Sequence, residues 1–385
     1  MDYFLSEQQQ MIRETARQVA LEKVLPVRAE LDEREEFPWE PLRACAAADL
    51  FGIWIPEAYG GLGGGILDLC VAVEELARVC AGVAVSYAAS ALGTIPIVLY
   101  GSEEQKAKYL PEVATGRKLG AFALTEAGAG SDAAAQRTTA RRDGDSYILN
   151  GTKQWITNGG EAEINTVIAM TDRSRGTRGA SAFIVEKGTP GFSFGKKEVK
   201  MGIRSSATRE LVFEDCRVPK ENLLGREGTG FIIAMKTLDK SRPGIGAQAL
   251  GIAQGAFDEA ARYARERVQF GHPIGSFQAV QHMLANMATK IEASRALIYS
   301  VARFIDTNPK DFSVESAMAK LFPSDMAMEV TVDAVQVLGG YGYMRDYPVE
   351  KMMRDAKITQ IYEGTNQIIR NVIGLGIVKD QARHK

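Results

Sequence analysis

The sequence has no excess of charge of either sign, because 46 Lys and Arg residues are matched by 48 Asp and Glu residues. A protein that binds nucleic acid broadly needs surplus cations to displace the counterions of the phosphates. The net charge of −2 therefore argues against that class. The length of 385 residues is sufficient for two or three domains and a large core.

Cysteine and histidine are scarce. The four cysteines are Cys45, Cys70, Cys80 and Cys216, which form no CxxC pair, and the chain has 3 histidines. Metal sites are built from clusters of such ligands, so we expect no metal site. Isolated cysteines of this kind are typical of buried, reduced thiols.

The N-terminus shows no signal-peptide or transit-peptide pattern, and we expect a cytoplasmic protein.

Long apolar runs are also rare, and the longest uncharged stretch is Ala81–Tyr100. It is long enough to cross a bilayer. However, Gly82, Ser86, Gly93 and Pro96 reduce its apolar character. We therefore predict a buried core helix rather than a membrane span.

The first third of the chain is predicted to be helical. Two capping boxes, Ser6 with Gln9 and Ser102 with Gln105, indicate helix starts, because each Ser and Gln can satisfy the other's backbone N–H. Apolar residues at helical spacing predict a further helix from Trp39 to Leu50.

The hydrophobic period shortens to two between Leu119 and about Val218. The pairs Asn150-Gly151 and Asn158-Gly159 are typical turn sequences. Several short strands without helices between them indicate a small sandwich or barrel. The predicted strands are Tyr147–Leu149, Gln154–Thr157, Thr166–Met170, Ala182–Val185 and Leu211–Phe213. After this region, apolar residues return to helical spacing over many turns, which suits an antiparallel bundle.

Three segments carry groups suited to chemistry. In AFALTEAGAGSD, Ala121–Asp132, small residues and hydroxyls leave backbone amides open to an anion or a flat polar ring. The second segment is WITN, Trp155–Asn158, although a lone Trp in a strand is more often a core residue. The third is IYEGTNQ, Ile361–Gln367, where Glu363 places a carboxylate beside a glycine.

Together these segments resemble the acyl-CoA dehydrogenase family. The likeness spans essentially the whole chain and includes RVQFG at Arg267–Gly271 and QVLGG at Gln336–Gly340. The resemblance implies an α+β fold that is usually assembled as a homotetramer. Its parts would be an N-terminal helical domain (residues 1–118), a middle β-barrel or β-sandwich domain (119–228) and a C-terminal four-helix bundle domain (229–385).

The resemblance also implies FAD as cofactor. Residues matching those that line the flavin and thioester are Phe122, Leu124, Thr125, Gly130, Ser131, Trp155 and Thr157. Residues matching those that reach the FAD diphosphate and adenosine of a neighbouring subunit are Arg267, Phe270, Gln278, Gln336 and Gly340. Two further cofactor contacts are implied at Thr365 and Gln367. A guanidinium such as that of Arg267 suits a diphosphate, because its fork pairs two oxygens at once.

By the same resemblance, Glu363 is the catalytic base. Some family members carry the base on a helix of the C-terminal domain, but the matching residue here is Ser241, which cannot accept the proton. The implied reaction oxidises a short- to medium-chain acyl-CoA to the trans-2-enoyl-CoA, with flavin N5 accepting the hydride and an electron-transferring flavoprotein accepting the electrons. The implied substrate contacts are Ser131, Asp239, Ser241, Arg242, Tyr362 and Gly364.

Other functions on this fold remain as alternatives. An acyl-CoA oxidase is typically much longer, and a flavin-dependent monooxygenase commonly lacks the glutamate. The enoyl-CoA reductase direction with a flavoprotein partner uses the same residues. A non-catalytic nucleic-acid-binding relative would need a basic face.

The acyl group is predicted from the uncharged stretch Ala81–Tyr100, which we expect to form the pocket floor. Small residues such as Ala88 and Gly93 would leave room for the tail, and Tyr87 and Leu92 would cap it. An acyl group with a terminal carboxylate would need a buried cation, which this stretch lacks. We therefore expect an uncharged, short to medium acyl chain.

Overall fold

The computed structural model describes residues 3–383, with side chains through residue 380, and begins with a helical region. Both predicted capping boxes are present, at Ser6 and at Ser102. The predicted helix Trp39–Leu50 ends earlier, because Asp49 has a left-handed backbone (φ 57°). The helices are α1 (Glu7–Val19), α2 (Arg28–Arg34), α3 (Trp39–Ala47), α4 (Ile66–Val79), α5 (Ala81–Tyr100) and α6 (Glu103–Ala114).

A mixed sheet follows these helices. Its strands are β1 (Gly120–Ala123), β2 (Thr139–Asp143), β3 (Ser146–Thr157), β4 (Ile164–Met170), β5 (Ala180–Glu186), β6 (Phe192–Lys197), β7 (Thr208–Pro219) and β8 (Leu223–Leu224). The order is β6-β7-β3-β2-β4-β5-β8, and β1 pairs in parallel with β4. The other main pairings are antiparallel, so the predicted β-rich middle region is confirmed.

The predicted turn at Asn150-Gly151 is wrong. Both residues lie inside β3, where its register with β7 shifts after Leu149. The Asn150 side chain accepts a hydrogen bond from Asp215 N (2.8 Å), and Gly151 has a φ of 140°. The pair therefore forms a β-bulge that joins two predicted strands into one. By contrast, Asn158-Gly159 does form a turn, at the end of β3.

The C-terminal region is a helical bundle. Helix α7 packs against α8 and α9, and α11 packs against α9. Helix α7 also packs on α4, which joins the bundle to the N-terminal helices. The helices are α7 (Gly230–Glu266), α8 (Gln278–Asp306), α9 (Ser313–Leu338), α10 (Val349–Ala356) and α11 (Asn366–Arg383), with a hairpin of β9 (Val268–Gln269) and β10 (His272–Pro273) between α7 and α8.

Helix α5 is the central core helix of the molecule. Gly93 lies so close to β1 that a Cβ there would be 2.4 Å from Ala121 N. Thr166 Oγ1 donates to Gly93 O (2.8 Å), and Asn158 Nδ2 donates to Ser86 O (2.9 Å). Although α5 is long and apolar enough to cross a membrane, 78% of its most apolar window is buried inside the protein. The predicted core helix is thus confirmed.

A buried ion pair fixes the segment that follows β1. Lys153 in β3 is 0% exposed, and its Nζ donates to Glu126 Oε1 (2.8 Å) and Leu124 O (2.9 Å). Glu126 also accepts from the backbone N–H of Thr138 (2.9 Å). Buried charges persist when they are paired and hydrogen-bonded in this way.

We predict that Lys153→Met destabilises the protein by about 3–5 kcal/mol, because it leaves the Glu126 carboxylate buried without its cation. Thermal unfolding of the purified variant measures the effect. The matched control is Lys220→Met, which removes an exposed pair with Asp145 and should cost less than about 1 kcal/mol. Equal losses in the two variants would contradict the prediction.

Candidate active site

A single cavity of about 230 Å³ lies where the three regions meet. Its walls come from α4, α5, the segment after β1, the end of β3, α7 and the loop before α11. Residues from distant parts of the sequence therefore surround one space. The sequence-predicted residues in its walls are Phe122, Leu124, Thr125, Gly130, Ser131, Trp155, Thr157, Ser241, Arg242, Tyr362, Glu363 and Gly364.

Glu363 stands on the cavity wall in an unusual backbone conformation. Its φ is 51°, and the next residue, Gly364, has a φ of 96°. A left-handed backbone at a residue other than glycine costs on the order of 1–3 kcal/mol, and such residues cluster at functional sites. Ser241 Oγ donates to Glu363 Oε2 (2.6 Å), so the carboxylate is held from the α7 side.

The acidity of Glu363 is set by its surroundings. Burial raises its pKa to about 7, while the hydrogen bond from Ser241 and the positive charges of Arg242 and Lys320 oppose this rise. A carboxylate with a pKa near neutrality is a stronger base than an exposed one and remains partly ionised at physiological pH. Glu363 is therefore suited to accept a proton from a weak carbon acid.

A buried ion pair on α7 orients a cation beside Glu363. Arg242 NH1 donates to Asp239 Oδ1 (2.7 Å), and Ser313 Oγ donates to Asp239 Oδ2 (2.6 Å). Asp239 is not among the cavity-lining residues and lies behind Arg242. Arg242 Nε is buried without a partner in the described part of the chain. One N–H donor of this guanidinium is therefore left unsatisfied among the described residues.

Lys320 of α9 was not predicted from the sequence. It is 0% exposed, and its Nζ donates to Gly364 O (2.7 Å) and Asn366 Oδ1 (2.6 Å). Burial lowers its pKa to about 7, against the opposing charge of Glu363. The sequence did contain a signal for this residue, because Lys320 is the only charged residue in the otherwise apolar run Ala317–Phe322. A lysine in such a run indicates a cation on a buried face of a helix.

Most of the cavity wall is apolar, as expected for an acyl-chain site. Helix α5 supplies the largest share of these apolar residues, and the others come from α4, α7, β1 and α11. The lining apolar residues are Leu69, Val73, Val85, Ala88, Ala89, Ala91, Leu92, Ile95, Phe122, Met235, Leu238, Ile245 and Ile368.

Two residues of the predicted pocket floor lie elsewhere. Tyr87 packs on Phe51 and Trp54, with ring centroids 5.3 and 5.5 Å apart, and its hydroxyl donates to Leu50 O (2.8 Å). Gly93 faces β1 rather than the cavity. The prediction for these two was wrong because composition does not reveal which face of a wholly buried helix borders a cavity.

Part of the cavity wall fits a flat ring. Trp155 has a left-handed backbone (φ 57°), and the residue is 58% exposed, so it is not a core residue. Trp155 and Thr157 face the cavity together with Leu124, Thr125 and Ser131. An aromatic face, hydroxyls and a glycine-rich turn suit a flavin, and we find that these residues fit the FAD that the resemblance implies.

The other predicted cofactor residues lie away from this cavity. Arg267 and Gly340 line a separate cavity, where the Arg267 guanidinium lies 5.4 Å from the centroid of the Tyr341 ring. Phe270 is 92% exposed. Gln278 begins α8, and Gln336 lies near the end of α9.

Two predicted cofactor residues flank the start of α11. Thr365 Oγ1 accepts from Ile368 N (3.3 Å), and Gln367 is exposed. Neither is among the residues that line the first cavity. Within residues 3–383, no group of three or more His, Cys, Asp or Glu side chains is arranged to hold a metal ion.

Comparison with known proteins agrees with this geometry. Models of the acyl-CoA dehydrogenase N-terminal, middle and C-terminal domains match residues 6–117, 121–216 and 228–378. A short-chain-specific acyl-CoA dehydrogenase of Clostridium acetobutylicum is 51% identical over 375 residues, 97% of this chain and 98% of the relative.

Solved structures share the whole fold. Butyryl-CoA dehydrogenase from Megasphaera elsdenii superposes with a TM-score of 0.96 at 48% identity, covering 98% of this chain and 100% of that one. A second match is a chain in a structure of the electron transferring flavoprotein of Acidaminococcus fermentans, described in connection with flavin-based electron bifurcation. It superposes with a TM-score of 0.96 at 53% identity, covering 98% of this chain and 99% of that one. With three domain models in order and about half of all residues identical to such relatives, the chain belongs to the acyl-CoA dehydrogenase family of FAD-dependent enzymes.

Proposed function

We propose that this enzyme converts a short- to medium-chain acyl-CoA to the trans-2-enoyl-CoA, with Glu363 as the base that removes the α-proton. The observation that carries the proposal is a carboxylate on the wall of a cavity that is lined mostly by apolar side chains. FAD, when bound beside Trp155 and Thr157, supplies the acceptor for the β-hydrogen and its electron pair.

The groups around Glu363 have different roles in removal of the α-proton. The α-proton of a thioester is weakly acidic, so the site must stabilise the negative charge that develops on the carbonyl oxygen. In this proposal the backbone N–H of Glu363 donates to that oxygen and stabilises the charge. Ser241 holds the accepting carboxylate at 2.6 Å, and the apolar walls keep water from competing for the proton.

The walls of the cavity support an uncharged acyl chain. The lining residues of α4 and α5 carry no charge in the described structure. The relative from Clostridium acetobutylicum is named short-chain specific, and the solved relative from Megasphaera elsdenii is a butyryl-CoA dehydrogenase. Both support a short to medium substrate.

The partners we propose are an electron-transferring flavoprotein and further copies of this chain. The similarity to a chain in an electron transferring flavoprotein structure supports the first. The second follows from Phe270, whose ring is 92% exposed although it is large and apolar, and from Arg267 nearby. In a homotetramer these residues would bind the diphosphate and adenosine of a neighbour's FAD.

We predict that Glu363→Gln keeps the fold and the bound FAD but lowers dehydrogenation by roughly 10²–10⁴-fold, because an amide cannot accept the proton. Anaerobic bleaching of the flavin absorbance by butyryl-CoA measures this loss. The control is Glu329→Gln on α9, whose carboxylate is exposed and which should react like the wild type. Near wild-type bleaching in Glu363→Gln would exclude Glu363 as the base.

We predict that Arg267→Ala is purified with less FAD, a smaller oligomer and a lower Tm, because a cofactor that bridges subunits stabilises the assembly by mass action. The flavin-to-protein absorbance ratio and light scattering measure these effects. The control is Arg265→Ala, on the same helix end with an 81% exposed side chain, which should resemble the wild type. A wild-type monomer with full FAD occupancy would contradict the bridging role.

We predict that kcat/KM rises with acyl length until the chain reaches the α5 wall, since each buried methylene contributes about 0.8 kcal/mol. Longer chains should then lose roughly 1–3 kcal/mol through overpacking. Leu92→Ala, which shortens an apolar side chain of the cavity wall, should move the optimum to a longer acyl group. A panel of straight-chain, branched and dicarboxylic thioesters tests this. An optimum for a dicarboxylic or very long substrate would refute the proposed specificity.

A further inference from the structure

We propose that Lys320 is a positioning residue that fixes both the backbone conformation and the charge of Glu363, so that the carboxylate is ionised and correctly placed at neutral pH. This inference rests on the proposed role of Glu363 as the base. It concerns a residue on α9 that does not line the cavity and has no direct access to the substrate.

Lys320 fastens the loop that carries Glu363 to α9. Its ammonium donates to Gly364 O (2.7 Å) on one side and to Asn366 Oδ1 (2.6 Å) on the other. Asn366 Nδ2 in turn donates to Ser324 Oγ (2.9 Å) and Asp325 Oδ1 (2.7 Å), both on α9. The residues immediately after the base are therefore bound to one helix by a continuous hydrogen-bond network.

This network restrains a conformation that the loop would not keep alone. Glu363 and Gly364 are consecutive left-handed residues, with φ values of 51° and 96°. Such a conformation persists only where the surroundings fix it by several contacts. Lys320 binds the carbonyl of Gly364, directly after the strained residue, while Ser241 Oγ holds the carboxylate from the opposite side.

The charges around Lys320 leave Glu363 as its principal counter-charge. The groups that act on its ammonium are Glu363, Arg242, Asp325 and Arg370. Asp325 is already paired with Arg370 (2.6 Å). Arg242 is paired with the buried carboxylate of Asp239 (2.7 Å).

The attraction between Glu363 and Lys320 opposes the effect of desolvation on both groups. Burial raises the pKa of Glu363 and lowers that of Lys320, while the charge of each favours the ionised form of the other. Removing the ammonium therefore raises the pKa of Glu363 further. Because the base acts only when ionised, activity should then be lost at a higher pH as the solution is acidified.

The decisive variant is Lys320→Met, which keeps the aliphatic stem but removes the charge and both hydrogen bonds. In the FAD-loaded enzyme we expect the acid limb of the kcat/KM–pH profile to move to higher pH, together with a lower kcat. If Lys320→Met does not fold, Lys320→Gln takes its place, since it keeps an N–H donor without the charge. An acid limb that stays at the wild-type pH in the folded variant would overturn the proposal.

Ser324→Ala is the matched control for a merely structural effect. It removes one hydrogen bond of Asn366 but leaves the ammonium of Lys320 in place. We expect a lower kcat or Tm with an unmoved acid limb. An equal shift of the limb in Ser324→Ala and Lys320→Met would show that loosening of the loop is sufficient, and would overturn the electrostatic role.

A second readout does not depend on turnover. The infrared carboxyl band that disappears in Glu363→Gln reports protonation of Glu363 in the FAD-loaded enzyme. On acidification this band should appear at a higher pH in Lys320→Met than in the wild type. A shifted band without dehydrogenation of any acyl-CoA would defeat the proposed function but support the coupling. Normal turnover in Lys320→Met with an unshifted band would overturn only the proposed coupling between Lys320 and Glu363.

Discussion

The close packing of α5 on β1 and β4 is the constraint on which the arrangement of the site depends. A Cβ at Gly93 would lie 2.4 Å from Ala121 N, so only glycine allows this approach. The contact brings the strand that precedes the glycine-rich segment directly beside the helix that forms the apolar wall. Because α5 is uncharged along its length, it can be buried on the sheet and also border the cavity.

Desolvation has two opposing effects on the Glu363 carboxylate, and the surrounding residues balance them. A dry cavity makes a carboxylate a better base, but the same desolvation favours its neutral, inactive form. The structure answers with a hydrogen bond from Ser241 and with the positive charges of Arg242 and Lys320. Arg242 is itself paired with Asp239 (2.7 Å), so part of its positive charge is offset near Glu363.

Local signals in the sequence were sufficient for much of the fold. A capping box depends only on two residues that are three positions apart, and the predicted boxes at Ser6 and Ser102 were both found. The turn at Asn150-Gly151 failed because pairing with Asp215 on β7, far along the chain, favoured a bulge. Lys153 and Lys320 escaped notice for the same reason, since each is a buried ammonium whose partners come from other segments.

The meeting of Ser241 and Glu363 has a consequence for how such enzymes diverge. These residues lie 122 positions apart, on a helix and on a loop, yet their side-chain oxygens are 2.6 Å from each other. Side chains at two distant positions of the sequence can therefore reach the same place in the cavity. A lineage could transfer the carboxylate from one segment to the other through an intermediate that carries both, without rebuilding the cavity. With Glu363 as the proposed base, the chemistry depends on a location in the fold rather than on one position in the gene.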